Sequence, residues 1–155
     1  MSFTLTTPVT GAAQTGLTSP TYTVALDTSP DATARQYAVT ALGGTQTGVT
    51  ASSVSSPFTT AMFRPKSYQA LGKPNPVTGL IARVPRNVYK VITRKGVTPL
   101  AAQPIQNMLI TSVIEVPAGA DLADSANVRA ALSMHFGSIA QATSGIGDTV
   151  IQGVL

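Results

Sequence analysis

Apolar and polar positions alternate along the first three quarters of the chain, and a helical period replaces them in the last quarter. "FTLTTPV" (3–9) and "TYTVALDT" (21–28) both place apolar residues against Thr or another polar residue at every second position, which predicts a first hairpin. "ARQYAVTAL" (34–42), closed by Gly43-Gly44, predicts a further strand. "SPFTTAMFRP" (56–65) is another, rich in β-formers and stopped by Pro65. "GKPNPVTG" (72–79) has the composition of a turn. "VTGLIARVP" (77–85) and "NVYKVITRKG" (87–96) follow as strands, then "VTPLAAQP" (97–104) as an exposed loop bounded by prolines. "IQNMLITSVIEVP" (105–117) is the most hydrophobic strand, which predicts a central place in the sheet.

The period changes at "AGADLADSANVRAALSMHFGSIAQA" (118–142). Asp124 or Ser125 suits a helix N-cap, and Asp121 puts negative charge near the positive end of the helix dipole. Val128, Leu132, His135, Phe136 and Ile139 then fall on one stripe. "TSGIG" is expected to break the helix, with a short second helix over 148–155 presenting Val150, Ile151 and Val154. A sheet followed by an amphipathic helix pair is an α+β layout. The chain reads as one domain, 1–155: a hairpin within 1–30, an antiparallel sheet over 34–117 and helices over 121–155.

Composition adds a demand for partners. Only 10% of the residues are charged, against roughly 25% in an ordinary globular protein, so much of the surface is expected to be hidden in an assembly. The 43% hydrophobic content argues against disorder. The apolar end "IQGVL" suggests burial, either in a second subunit or against the chain's own body. There is no cysteine, hence neither a disulfide framework nor a thiolate metal site. The first residues, "MSFTLTTPVTGAAQTG", lack the basic and apolar regions of a signal peptide, and no apolar run approaches the ~20 residues of a membrane span. A soluble protein without membrane partners is the expectation.

Charge is distributed unevenly. Between Asp31 and Glu115 lie nine basic residues and no acid: Arg35, Arg64, Lys66, Lys73, Arg83, Arg86, Lys90, Arg94 and Lys95. Strand alternation sends Val88, Lys90, Ile92 and Arg94 to one face and Tyr89, Val91, Thr93 and Lys95 to the other. In the neighbouring strand Asn107, Thr111 and Glu115 share a side, opposite Met108, Ile110 and Ile114. A flat surface of Lys, Arg, Asn and Thr suits a nucleic acid, with cations on phosphates and amides and hydroxyls on base edges. A solvated sheet face with scattered bases is the competing explanation, and the acid-free stretch favours the polyanion. No enzyme chemistry emerges. His135, on the apolar stripe, reads as a packed residue, and Asp27, Asp31, Asp121 and Asp124 suit turns and a helix start. "GIGDT" (145–149) lacks the lysine of a phosphate loop. No catalytic residue, metal ligand or cofactor is expected.

Three stretches, "NVYKVITRKGV", "MLITSVIEVPAGADLADSANVRAALSMHFGSI" and "SGIGDTVIQGVL", together with the upstream "SSVSSPFTTAMFRPK", resemble the coat proteins of single-stranded RNA bacteriophages. The resemblance covers residues 50 to 155, while 1 to 49 agree mainly in a hairpin-then-strand pattern. It implies an N-terminal β-hairpin, a five-stranded antiparallel sheet and two C-terminal helices. It also implies an intertwined homodimer whose sheets join edge to edge and whose helices clasp the partner subunit. Val128, Leu132, Phe136, Ile139, Val150 and Val154 would form that dimer interface. Dimers would close an icosahedral shell, normally of T=3 symmetry, around genomic RNA, forming a virion assembled in the bacterial host cytoplasm. The inner sheet would bind RNA, and could act as a translational repressor by binding an operator hairpin. Thr59, Ala61, Lys90, Asn107 and Thr111 would face the RNA, with Lys66, Arg83, Arg86 and Arg94 as general phosphate contacts. Ala61 departs from the hydroxyl residue expected at such a site. The loop 96–104 would surround the symmetry axes, uncrosslinked for want of cysteine. Two other classes stay open on the residues alone: an RNA-binding regulator that forms no shell, and a pilus or adhesin subunit, which an acid-free basic sheet disfavours.

Overall fold

The structure, a computed structural model, describes residues 2–155. Its strands are β1 (Val9–Thr10), β2 (Thr18–Asp27), β3 (Ala34–Thr45), β4 (Phe58–Phe63), β5 (Arg86–Val97) and β6 (Gln106–Pro117). They form a single antiparallel sheet in sequence order, β1 at one edge and β6 at the other. Helices α1 (Ala120–Ala123), α2 (Ser125–Gln141) and α3 (Thr143–Gln152) follow. The α+β class is as expected, whereas the counts differ. The hairpin β1–β2 is part of the same sheet, giving six strands rather than a separate hairpin and five, and the helices number three rather than two.

Each departure from the expected elements has a local reason. Residues 3–8 do not pair as a strand; they lie over the sheet, where Phe3 meets the Tyr37 ring edge-on at 5.9 Å. Burying Phe3 and Leu5 against a sheet satisfies the same alternation that strand pairing would. Strand β3 continues through Gly43 and Gly44, because β2 bulges opposite them: its register shifts between Thr18 and Thr21, and Ser19 takes φ 44°. Residues 77–85 are not a strand, since β4 pairs directly with β5 and leaves no ladder position for them. The most hydrophobic strand, β6, is an edge strand rather than a central one, with Leu109 and Ile110 60% and 55% exposed. Helix α3 begins at Thr143, within the stretch expected to break the helix; the interruption is the single residue Ala142.

Cross-strand partners share a face, so the register sorts the sheet into two surfaces. One, here the packed face, carries Val24, Tyr37, Val39, Phe58, Thr60, Met62, Tyr89, Val91, Thr93 and Ile110. Tyr37 and Val39 are its buried centre, and Tyr22 packs edge-on against Phe58 at 5.5 Å. The other, the open face, carries Gln36, Ala38, Thr59, Ala61, Lys90, Ile92, Arg94 and Thr111. Helix α2, about 25 Å long at 1.5 Å per residue, runs on from the β6 edge and buries none of its residues. Helix α3, which follows it, is tied to the opposite edge, where Gln14 Nε2 donates to the Thr143 carbonyl at 3.0 Å and Thr15 Oγ1 donates to Asp148 Oδ2 at 3.0 Å. The helical arm therefore touches the chain's own β1–β2 turn. Val128 and Leu132 look across a cleft of about 400 Å³ toward Ile114 and Val116 of β6. Phe136, Ile139, Val150 and Val154 are exposed, as is His135, which was expected to be packed.

The β2–β3 bulge supplies a test. Gly44 has φ 73°, and a Cβ there would run into the backbone carbonyls of Ser19 and Thr18. Gly44→Ala should destabilise the fold by about 2 kcal/mol or more, the left-handed penalty plus the clash, read as a lowered urea midpoint.

Candidate nucleic-acid interface

Strand β5 places Arg86, Lys90 and Arg94 on the open face by simple alternation, and registers them against Pro117, Val113 and Leu109 of β6. Asn107 and Thr111 of β6 fall on that same face, as do Thr59 and Ala61 of β4. The structure thus gathers seven of the sequence-derived candidates on one surface and leaves two outside it. Arg83 lies exposed in the irregular segment 64–85. Lys66 is in the same segment, and its ammonium sits 2.9 Å from Asp31 Oδ2.

The candidates differ in what they can reach. Lys90, Asn107 and Thr111 are exposed, and among the described residues no side-chain partner holds them. Arg86 approaches Glu115 at 3.4 Å with both side chains largely in water, a pairing of little energetic weight. Thr59 and Ala61, by contrast, are 7% and 0% exposed. Arg94 explains this: from β5 its Nη1 donates to Gln36 Oε1 on β3 at 3.3 Å, so the side chain lies across the intervening strand β4. Gln36 in turn donates from Nε2 to Asp27 Oδ2 at 2.8 Å. The chain Asp27–Gln36–Arg94 is the one polar network on this face that spans several strands among the described residues. Sequence reasoning missed Gln36 and gave Asp27 only a turn role, because their meeting with Arg94 depends on the pairing of β2, β3, β4 and β5.

Two further bases of the acid-free stretch serve the fold. Lys95 points to the packed face, donates to the Thr50 carbonyl at 2.9 Å and to Thr50 Oγ1 at 3.0 Å, and lies over the Phe58 ring at 4.9 Å. Burial pushes its pKa below the ordinary lysine value. Arg35 donates to the Ser2 and Thr4 hydroxyls at 3.1 and 3.2 Å, fastening the N-terminal segment. Among the described residues no cluster of His, Cys, Asp or Glu is placed to hold a metal ion, and no helix is long and apolar enough to cross a membrane.

Known proteins give this geometry a context. No family profile and no curated protein sequence matches the chain. Among solved structures, the chain of a virus-like particle of bacteriophage ESE020 is 55% identical, with a TM-score of 0.96 over 99% of this chain and 100% of that one. The chain of a virus-like particle of Beihai levi-like virus 32 aligns over 86% of this chain and 88% of that one at 14% identity, with a TM-score of 0.48, too distant to support an inference.

Asp31 yields a pH prediction. The Thr33 backbone N–H, then the Lys66 ammonium and the Thr33 hydroxyl, hold its carboxyl at about 2, below the ordinary 3.8. A depressed folded-state pKa contributes stability that is complete above the unfolded carboxylate range and lost as pH falls through the folded value. Asp31→Asn should therefore lower stability near neutrality and flatten its decline between those two values, measured as urea midpoints across the acid range.

Proposed function

Because this chain belongs to the coat proteins of single-stranded RNA bacteriophages, we propose that it pairs with a second copy, closes an icosahedral shell and turns the open face of its sheet toward packaged RNA. Its role as a structural capsid protein in a virion rests on the full-length match to a virus-like particle chain. Assembly in the bacterial cytoplasm, T=3 geometry, genome packaging and repression through an operator hairpin are the finer parts of the proposal.

The pairing is supported by unfinished burial. One copy exposes 10744 Å², whereas a compact monomer of 15.9 kDa exposes about 7,300 Å². For two copies the excess is about 6,800 Å², at the upper end of or beyond what obligate interfaces hide in total, as expected of a chain that meets more than one neighbour. Part of the surplus is apolar and lies on β6 and α2: Met108 and Ile110 on the packed face of edge strand β6, and Met134, Phe136 and Ile139 on α2. Edge strand β6 also presents a ladder of unpaired backbone groups along its outer side, a template for a second strand. The RNA role is supported by the exposed Lys90, Asn107 and Thr111 beside Arg94 on a face that no helix or terminal segment covers.

Electron microscopy of the protein expressed alone, with the ultraviolet absorbance ratio after nuclease treatment, tests the whole reading. Uniform shells with protected RNA are expected; discrete dimers that never close would overturn the shell and favour an RNA-binding regulator. Lys90→Ala should flatten the salt dependence of RNA binding by about 0.7–0.9 in the log–log slope, one phosphate contact, and an unchanged slope would show that Lys90 does not reach RNA. Phe136 is 42% exposed in one copy. If a second copy covers it, Phe136→Ala should cost about 3–5 kcal/mol and appear as lost particles; wild-type melting and yield would remove α2 from the interface.

A further inference from the structure

The open face lacks the cavity that a base would need between β4 side chains. Thr59 and Ala61 are the residues expected to offer one, and they are 7% and 0% exposed with no second layer above them. What lies over them is Arg94, stretched from β5 to Gln36 on β3. Gln36 is itself buried, 9% exposed, and both ends of its amide are in use: Nε2 donates to Asp27 Oδ2 at 2.8 Å and to the Thr28 carbonyl at 3.4 Å, while Oε1 accepts from Arg94. Asp27 is steadied in turn by the Thr28 backbone N–H at 2.8 Å.

This arrangement differs from an ion pair in one respect that matters. A carboxylate in direct contact with Arg94 would take two of its N–H donors and neutralise it. The intervening amide takes a single donor, at Nη1, and keeps the Asp27 charge one residue away. A guanidinium has five N–H donors in a rigid plane, so four remain, oriented and still carrying their charge. A side chain as flexible as arginine is thereby held ready for a ligand with less ordering left to do on binding.

We propose that Arg94, held by the Gln36–Asp27 relay, is the recognition element at the centre of this face. Its fork takes two adjacent acceptor atoms of single-stranded RNA, either a phosphodiester or the O6/N7 edge of guanine, in place of a pocket between Thr59 and Ala61. Gln36 is then a positioning residue. The proposal rests on the reading that RNA lies against the open face.

The test is binding of short single-stranded RNA oligomers by the full-length chain across a range of salt, using oligouridine and a mixed oligomer carrying guanine or 7-deazaguanine. Arg94→Lys keeps the charge and loses the fork, so affinity should fall on the order of tenfold, the weight of one bidentate contact, with the salt slope nearly unchanged. Gln36→Leu should reproduce that loss while leaving the melting midpoint close to wild type, and Asp27→Asn, which still accepts from Gln36, should restore most of wild-type affinity relative to Asp27→Ala. Equal losses on every oligomer identify the phosphodiester as the ligand; a loss confined to the guanine oligomer, and mimicked by 7-deazaguanine, identifies the base edge. If Lys90→Ala changes the slope but Gln36→Leu and Arg94→Lys leave affinity intact, the relay is structural and the proposal falls alone. If none of the three changes binding, the open face does not meet RNA and both readings fall.

Discussion

One copy of this chain folds into a sheet it cannot cover. Among the described residues, Tyr37, Val39, Ala61, Ala118 and Pro20 are the buried apolar side chains, and no large side chain is withdrawn fully from water. Burial of apolar area is the main favourable term in folding, so a thin core makes the fold depend on whatever completes it. The N-terminal segment covers the packed face around β3 and β4, where Phe3 meets Tyr37. Toward β6 nothing comparable arrives, and α2 buries none of its own residues. Low surface charge and high apolar exposure are then two descriptions of one condition, a protomer shaped for a neighbour.

The basic residues acquire meaning only once they are sorted by face. Counted along the chain they make a long uncompensated run, but alternation along β5 and the pairing of its neighbours divide them. Arg35 and Lys95 hold the N-terminal segment and residue Thr50 against the packed face. Lys66 meets Asp31, and Glu115 lies near Arg86. Lys90 and Arg94 remain as the central cations of the open face, one free in water and one oriented by Gln36. A surface with one mobile and one fixed cation can combine sequence-independent attraction with a geometric requirement.

Much of this was legible in the sequence. Period-two alternation located β2 to β6 to within a few residues and paired Lys90 with Arg94 and Asn107 with Thr111; that the two pairs share one face depends on the β5–β6 register. What escaped was whatever depends on partners. Hydrophobicity in 105–117 signals that a strand is to be buried, and says nothing of which molecule buries it, so β6 was expected at the centre and stands at the edge. Residues 77–85 have strand-like composition but no free ladder to join. Gln36 looks like any polar position of an alternating strand. Its role arises because β4 separates β3 from β5 by one strand, a distance an arginine side chain can bridge.

The two faces are coupled through register. A slip of one residue in β5 would exchange Arg86, Lys90 and Arg94 on the open face for Tyr89, Val91, Thr93 and Lys95, leaving one β5 cation there in place of three and turning those three into the packed face. Such a slip is blocked at the end of β5 by Gly96. Its backbone N–H donates to the Pro57 carbonyl at 2.7 Å, and a Cβ at that position would come within 2.6 Å of Ser56 Oγ and 2.9 Å of Ile105 Cγ2. Only glycine fits between the start of β4 and the turn into β6, so Lys95 or Val97 cannot take its place. One close backbone approach therefore fixes which side chains lie on each face, and with them both the apolar surface of the packed face and the cations of the open one.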